Sequence, residues 1–192
     1  FPLQTFYGSI HATYDRVNRL FTFGRDRAWR RHAAQALLRS EPVRILDLCT
    51  GTGDFALELA RQAPKGPFPI DLTGFDFSSQ MLQEAAKKQE EFRRSVTYPE
   101  VRFVEGDAGA MPFEDGRFDS IGITFGLRNL VYENSSARKH LSEMWRVLRP
   151  GSIWSGARAI PKAPDTPAPR FSPSSTSWRA AAFPCPICQA WG

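Results

Sequence analysis

The 192-residue chain is 42% hydrophobic and 23% charged, a composition that suits one globular domain with a sizeable core and leaves little room for two. No apolar run approaches the roughly 20 residues needed to cross a bilayer. The net charge of +5 is unevenly placed: residues 152–192 hold Arg158, Lys162, Arg170 and Arg179 against Asp165 alone, which leaves only +2 on the body. That is no footprint for a polyanion, so no nucleic-acid partner is expected. Three cysteines, Cys49, Cys185 and Cys188, are too few for a disulfide scaffold and point to reduced thiols in a cytosol-like compartment. Phe1 in place of a methionine, with no basic leader before an apolar stretch, is read as a processed or partial chain without a secretion signal.

Taken in order, residues 5–39 are mixed aromatic and basic, with helices expected around Ser9–Leu20 and Asp26–Leu38. Val43–Leu48 reads as a strand, Gly51-Thr52-Gly53 as the turn after it, and Asp54–Gln62 as a helix with Phe55 and Leu59 on one face. Ile70–Phe75 is a second strand ending at Asp76. Ser78 or Ser79 can cap the next helix, whose stripe is Met81, Ala85 and Phe92. Val101–Val104 and Phe118–Phe125 are the third and fourth strands. Ser135 or Ser136 opens a helix with Leu141, Met144, Trp145 and Leu148 at helical spacing, stopped by Arg149-Pro150-Gly151. Strands alternating with helices predict a mostly parallel α/β sheet covered on both faces.

Asp47-Leu48-Cys49-Thr50-Gly51-Thr52-Gly53-Asp54 is the sharpest local signal. Glycines after a first strand let the backbone approach a ligand closely, and the free N–H groups of a helix start lie beside them. Gly51-x-Gly53-x-x-Ala56 formally fits a dinucleotide fingerprint, with Asp76 where a ribose-binding acid would fall. Two features favour a methyl-donor cofactor instead. Asp47, four residues before the first glycine, suits an ammonium group better than a pyrophosphate, and Asp54 would crowd a phosphate. Asp76 could accept from both ribose hydroxyls, or could simply be a helix-N-terminal acid beside Ser78. Asp107, after the third strand, could accept from an adenine amine or be a solvated loop carboxylate.

Tyr14-Asp15-Arg16-Val17-Asn18, Thr22-Phe23-Gly24 and Trp29, then Asp47–Asp54, Met111-Pro112-Phe113, Phe118-Asp119 and above all Phe125-Gly126-Leu127-Arg128-Asn129 resemble the ubiquinone/menaquinone biosynthesis C-methyltransferases. The resemblance runs from about Phe6 to Gly151, with Val17, Thr22 and Asp26 standing where methionine, serine and histidine are usual. It implies a Rossmann-like class I methyltransferase sheet that uses S-adenosylmethionine to methylate a ring carbon of a polyprenylated quinol, whether benzoquinol or naphthoquinol. Asp47, Gly51, Thr52 and Gly53 would hold the cofactor, Asp76 its ribose, and Asp107 and Ala108 would lie near adenine, with Thr124 lining the same pocket. Arg128 and Asn129 would face the substrate. Arg128 could stabilise a phenolate or polarise a water that takes its proton; the plain alternative is a surface ion pair.

Residues 1–151 would then be the cofactor-binding core, with 1–40 a helical substrate cap. Tyr14, Phe21, Phe23 and Trp29 could cover a greasy substrate while Arg16, Arg19, Arg25, Arg30 and Arg31 meet anionic lipid; packing aromatics and a solvated basic face are the alternative. A cytoplasmic protein is expected, peripheral to a membrane in the first case, or on the matrix side of a mitochondrion in a eukaryote. His11, His32 and His140 are scattered and make no metal-ligand set.

Beyond Gly151 the resemblance stops. Ser152–Arg158 lacks the apolar strand the family continues with, and seven prolines fall between Pro161 and Pro186 around a serine-rich stretch. The later strands are therefore expected to be missing or replaced by an irregular tail over 152–192. Shifted by one nucleotide, degenerate codons for Trp154–Arg158 permit Gly-Leu-Val-Leu-Glu, which suggests a frameshift; a nucleotide sequence without that shifted frame would refute it. On this view the chain is an inactive fragment that at most binds the cofactor. Cys185-Pro186-Ile187-Cys188 is half a zinc motif with no second pair, and no function is assigned to it.

Overall fold

The computed structural model describes residues 20, 22–23, 25–38, 43–63, 70–94, 98–156 and 179–180. In chain order they form α1 (Asp26–Leu37), β1 (Arg44–Leu48), α2 (Asp54–Gln62), β2 (Asp71–Asp76), α3 (Ser79–Arg93), β3 (Val101–Glu105), β4 (Phe118–Ile123), α4 (Leu127–Val131), α5 (Ala137–Val147), β5 (Leu148–Gly156) and the two-residue β6 (Arg179–Ala180). The strands make one parallel sheet in the order β3-β2-β1-β4-β5-β6.

Side chains of β1 alternate across the sheet, and each face finds its own cover. Ile45 packs with Ala33 and Leu37 of α1 and with Phe55 and Leu59 of α2. Leu46 and Leu48 pack on the other face with Leu127, Met144 and Val147 of α4 and α5. Every residue of β1 after Arg44 is buried, as a central parallel strand requires. Gln89 of α3 accepts from the Val101 N–H at 2.8 Å and donates to the Val101 carbonyl at 3.0 Å, so one side chain completes the end of β3. Ser78 caps α3, its Oγ accepting from the Met81 N–H at 3.4 Å.

Three expectations need correction. The fourth strand stops at Ile123, and α4, a single turn the periodicity does not announce, follows it. In α5 the buried stripe is His140, Met144 and Val147, while Trp145 is 41% exposed and Leu148 already belongs to β5. The helix is thus rotated about one residue from the face that Leu141, Trp145 and Leu148 suggest. Most importantly, the strand expected to be missing is present: β5 pairs with β4 through Ser120↔Ile153, Ile121↔Trp154, Gly122↔Ser155 and Ile123↔Gly156. Parallel pairing is a main-chain interaction, and the open edge of β4 must satisfy its N–H and C=O groups whatever side chains the next strand brings. Pro150 is accommodated because the register shifts between Phe118 and Ser120, placing the residues between Leu148 and Ile153 in an irregularity.

The helix expected over Ser9–Leu20 lies, apart from Leu20, outside the described residues, as does nearly all of the chain beyond Gly156 with Cys185 and Cys188.

Candidate functional site

Sequence order runs from β1 outward to β3 and then returns to the other side of β1 with β4. Ligands of open α/β sheets settle at such a reversal, outside the carboxyl ends of the strands. A cavity of about 520 Å³ opens there, a size suited to a small-molecule cofactor.

Its walls come from the ends of four strands: Leu48 and Cys49 after β1, Asp76 and Phe77 after β2, Glu105 to Ala108 after β3, and Phe125 and Gly126 after β4. At the close of β1, Cys49 turns the chain with φ 59°, and Gly51 (φ 55°) and Gly53 (φ 79°) continue in the left-handed region that favours glycine. The loop is then pinned to its neighbour strand. Thr50 N–H donates to the Phe75 carbonyl at 3.1 Å, and Gly51 N–H donates to Asp76 Oδ2 at 2.9 Å. On the far wall a Cβ at Gly126 would fall 2.2 Å from Cys49 Cβ, so only glycine lets the segment after β4 approach the β1 turn this closely. Burial pushes the Cys49 thiol up, which keeps it a neutral wall group.

Asp76, 6% exposed, accepts from Gly51 N–H on one oxygen and from Ser78 N–H at 3.0 Å on the other. Burial raises its carboxyl while these backbone donors pull it down. Asp107 is 62% exposed, takes the Gly109 N–H at 2.8 Å, and lies 3.8 Å from Lys139 Nζ and 3.9 Å from His140 Nε2. Ala108 and Asn129 also line the cavity, as do Gly51 and Leu130.

Five sequence-nominated residues do not line it. Asp47 is 1% exposed beneath the loop, where Thr50 Oγ1 donates to its Oδ2 at 2.6 Å while its buried Oδ1 has no hydrogen-bond partner among the described residues. Burial lifts this carboxyl to about 7. Thr52 points to α3, accepting from Lys88 Nζ at 2.9 Å. Gly53 is a packing glycine: a Cβ there would meet Ala85 Cβ at 2.8 Å. Thr124 is half-buried just past β4. Arg128 is exposed, its guanidinium carbon 4.5 Å from the centre of the Tyr132 ring.

The structure adds residues that sequence reasoning passed over. Asn134 and His140 line the cavity; Asn134 is held by donating from Nδ2 to the Asn129 carbonyl at 2.8 Å. Phe-Gly-Leu-Arg-Asn drew attention to α4 itself, but nothing local marks the two residues that follow it. Arg30, nominated for lipid contact, is instead buried. Its guanidinium reaches Asp26 at 2.6 Å and Asp54 at 3.2 Å and stacks 5.4 Å from the Phe125 ring centre. Thr22 Oγ1 donates to Asp26 at 3.1 Å and Lys88 to Asp54 at 2.7 Å, so one polar network ties α1 to α2 and α3. Phe23 is 90% exposed and Arg25 and Arg31 are exposed; Tyr14, Arg16, Arg19 and Phe21 lie outside the described residues. Among the described residues no helix is long and apolar enough to cross a membrane.

The model of the ubiE/COQ5 methyltransferase family matches residues 3–156. The chain belongs to that family. It is 47% identical over 146 residues to a demethylmenaquinone methyltransferase of Thermus thermophilus, covering 76% of this chain and 60% of that protein. A Deinococcus radiodurans protein of the same name is 42% identical over 149 residues, covering 78% of this chain and 56% of its own length. The family member described here therefore spans a little over half the length of these curated relatives. Among solved structures it resembles a SAM-dependent methyltransferase from Aquifex aeolicus, with a TM-score of 0.57 at 21% identity over 76% of this chain and 69% of that one. That likeness concerns the fold alone, and it is the class I methyltransferase sheet.

Proposed function

We propose that this chain is the cofactor-binding part of an S-adenosylmethionine-dependent enzyme that methylates a ring carbon of a polyprenylated hydroquinone. The observation that carries the reading is the coincidence of the family match over residues 3–156 with the cavity at the reversal of strand order that gathers the glycine loop, Asp76 and Asp107. The relatives named demethylmenaquinone methyltransferase supply the substrate class.

The residues present fit the cofactor. A Cβ at Gly51 would meet nothing within 4 Å, so the bare backbone leaves room for a ligand to press against the loop. Asp76, fixed by two backbone N–H groups, keeps lone pairs for ribose hydroxyls. Asp107 and Ala108 stand at the β3 end for an adenine ring. Asp47 acts from beneath, holding Thr50 and with it the turn of the loop; its unpaired Oδ1 offers an acceptor to an ammonium group only if the loop opens. Thr52, Gly53 and Thr124 support the wall without forming it.

S-adenosylmethionine supplies a methyl group already activated as a sulfonium. The chain's work is to orient an acceptor carbon and to stabilise charge. Asn129 lines the cavity and is placed to orient a ring hydroxyl, and Arg128 stabilises the phenolate formed when that hydroxyl passes its proton to a water. This role requires the guanidinium to leave Tyr132. We take the working unit to run through β5 to Gly156, the limit of the family match.

Thermal melting with S-adenosylhomocysteine, NAD as control, tests the cofactor. Stabilisation of about 2.7 kcal/mol is expected at a hundred times the dissociation constant. A shift with NAD instead, or with neither, overturns the reading. Transfer of labelled methyl to a demethylated polyprenyl naphthoquinol or benzoquinol then tests the substrate.

A further inference from the structure

His140 is 8% exposed, lines the cavity, and has one ring nitrogen already committed: Nδ1 lies 2.8 Å from the Leu130 carbonyl oxygen. A carbonyl can only accept, so Nδ1 carries a hydrogen and, in the neutral form of the ring, Nε2 is a bare acceptor. That nitrogen stands 3.9 Å from Asp107 Oδ1, a second acceptor, at the same end of the cavity as Ala108. Two acceptors facing one space are complementary to a group with two N–H donors, and an oxygen placed there would be repelled by both.

The pair is also held still. Glu143 Oε2, on the same helix as His140, accepts from the Met111 N–H at 2.8 Å, and Arg146 donates to the Met111 carbonyl at 2.9 Å and the Phe113 carbonyl at 2.7 Å. These bonds lock α5 to the segment that follows Asp107, so the spacing of the two acceptors is built into the fold.

We infer that His140 Nε2, together with Asp107, reads the exocyclic amine of a 6-aminopurine and makes the cavity selective for an adenosyl over an inosyl ligand. This rests on the cofactor reading above and names the residue that enforces its base specificity. A site built to receive an N–H donor rejects the oxo analogue because its acceptors are left facing an oxygen.

Calorimetry of the full chain with S-adenosylhomocysteine and S-inosylhomocysteine tests it. The unaltered chain is expected to prefer the adenosyl ligand by on the order of tenfold or more. His140→Asn keeps a donor near the Nδ1 position for the Leu130 carbonyl but deletes Nε2, and should lose most of that preference with little change in melting temperature. His140→Gln, which places a polar atom near Nε2, should retain more of the preference than His140→Asn. An unchanged ratio in His140→Asn would reduce His140 to a structural anchor of α4 and overturn the inference while leaving the cofactor reading intact. Binding of neither ligand by the unaltered chain would overturn the cofactor reading and the inference with it.

Discussion

Gly51 and Gly53 share the left-handed backbone, yet their surroundings differ: open space at the first, the Ala85 side chain at 2.8 Å from a built Cβ at the second. Substitution to alanine should separate their roles. Both changes pay the backbone cost of about 1–2 kcal/mol. Gly53→Ala adds overpacking against α3 of about 1–3 kcal/mol, seen as a lower urea midpoint. Gly51→Ala should spare stability by comparison and weaken S-adenosylhomocysteine binding instead, because its methyl enters the cavity. Equal midpoints for the two variants would contradict this assignment. At this scale the glycine motif was readable from spacing because chain conformation is local. The parts His140 and Gly126 play were not, since what makes them matter is the Leu130 carbonyl and the Cys49 side chain, brought to them only by folding.

Arg30 is a connection between elements. It sits 9% exposed between Asp26, 2% exposed, and Asp54, so its removal strands a buried carboxylate in α1. Arg30→Met should destabilise the chain by about 3–5 kcal/mol with an unchanged denaturant slope, and Arg30→Lys should recover part of the loss. A cost below 1 kcal/mol would show that the network is ornamental to stability. The texture of residues 26–38 announced the helix but not which arginine turns inward, because inwardness depends on Asp54, the first residue of α2. β5 escaped for a related reason. Its cohesion is main-chain pairing with β4, which composition does not record, whereas β1, β2 and β4 carry their burial in their side chains.

Across the molecule, two sets of carboxyls pull the pH profile in opposite directions. Asp119, bonded by Arg44 at 2.9 Å through its N–H and at 3.2 Å through its guanidinium, and Glu143, bonded by Arg146, are held below the ordinary carboxylate range. Their contribution is present at neutral pH and is lost as pH falls through their folded values, beneath the ordinary carboxylate range. Asp47 and Asp76 work the other way: burial raises both carboxyls in the folded state, Asp47 to about 7, so the native state keeps protons that the unfolded chain releases near 3.9. That stability is full below about pH 4 and drains away as pH rises to about 7. The ligand-free chain should therefore be most stable on the acid side of neutrality, near pH 5. Asp47→Asn should flatten the decline between pH 5 and 7, measured as urea midpoints across the range; a parallel decline in the variant would place the cause elsewhere. The central place of β1 also sets a timetable. Arg44 pairs with Asp71, and Ile45 pairs with Ser120 on the other side. A ribosome adding about 5–20 residues per second finishes the first partner some seconds before the second. For that interval the nascent chain displays one edge of β1, with Ile45, Leu46 and Leu48 in it, unpaired, and a chaperone that shields such edges, or a pause that prolongs their exposure, would change how much of each batch reaches the native sheet.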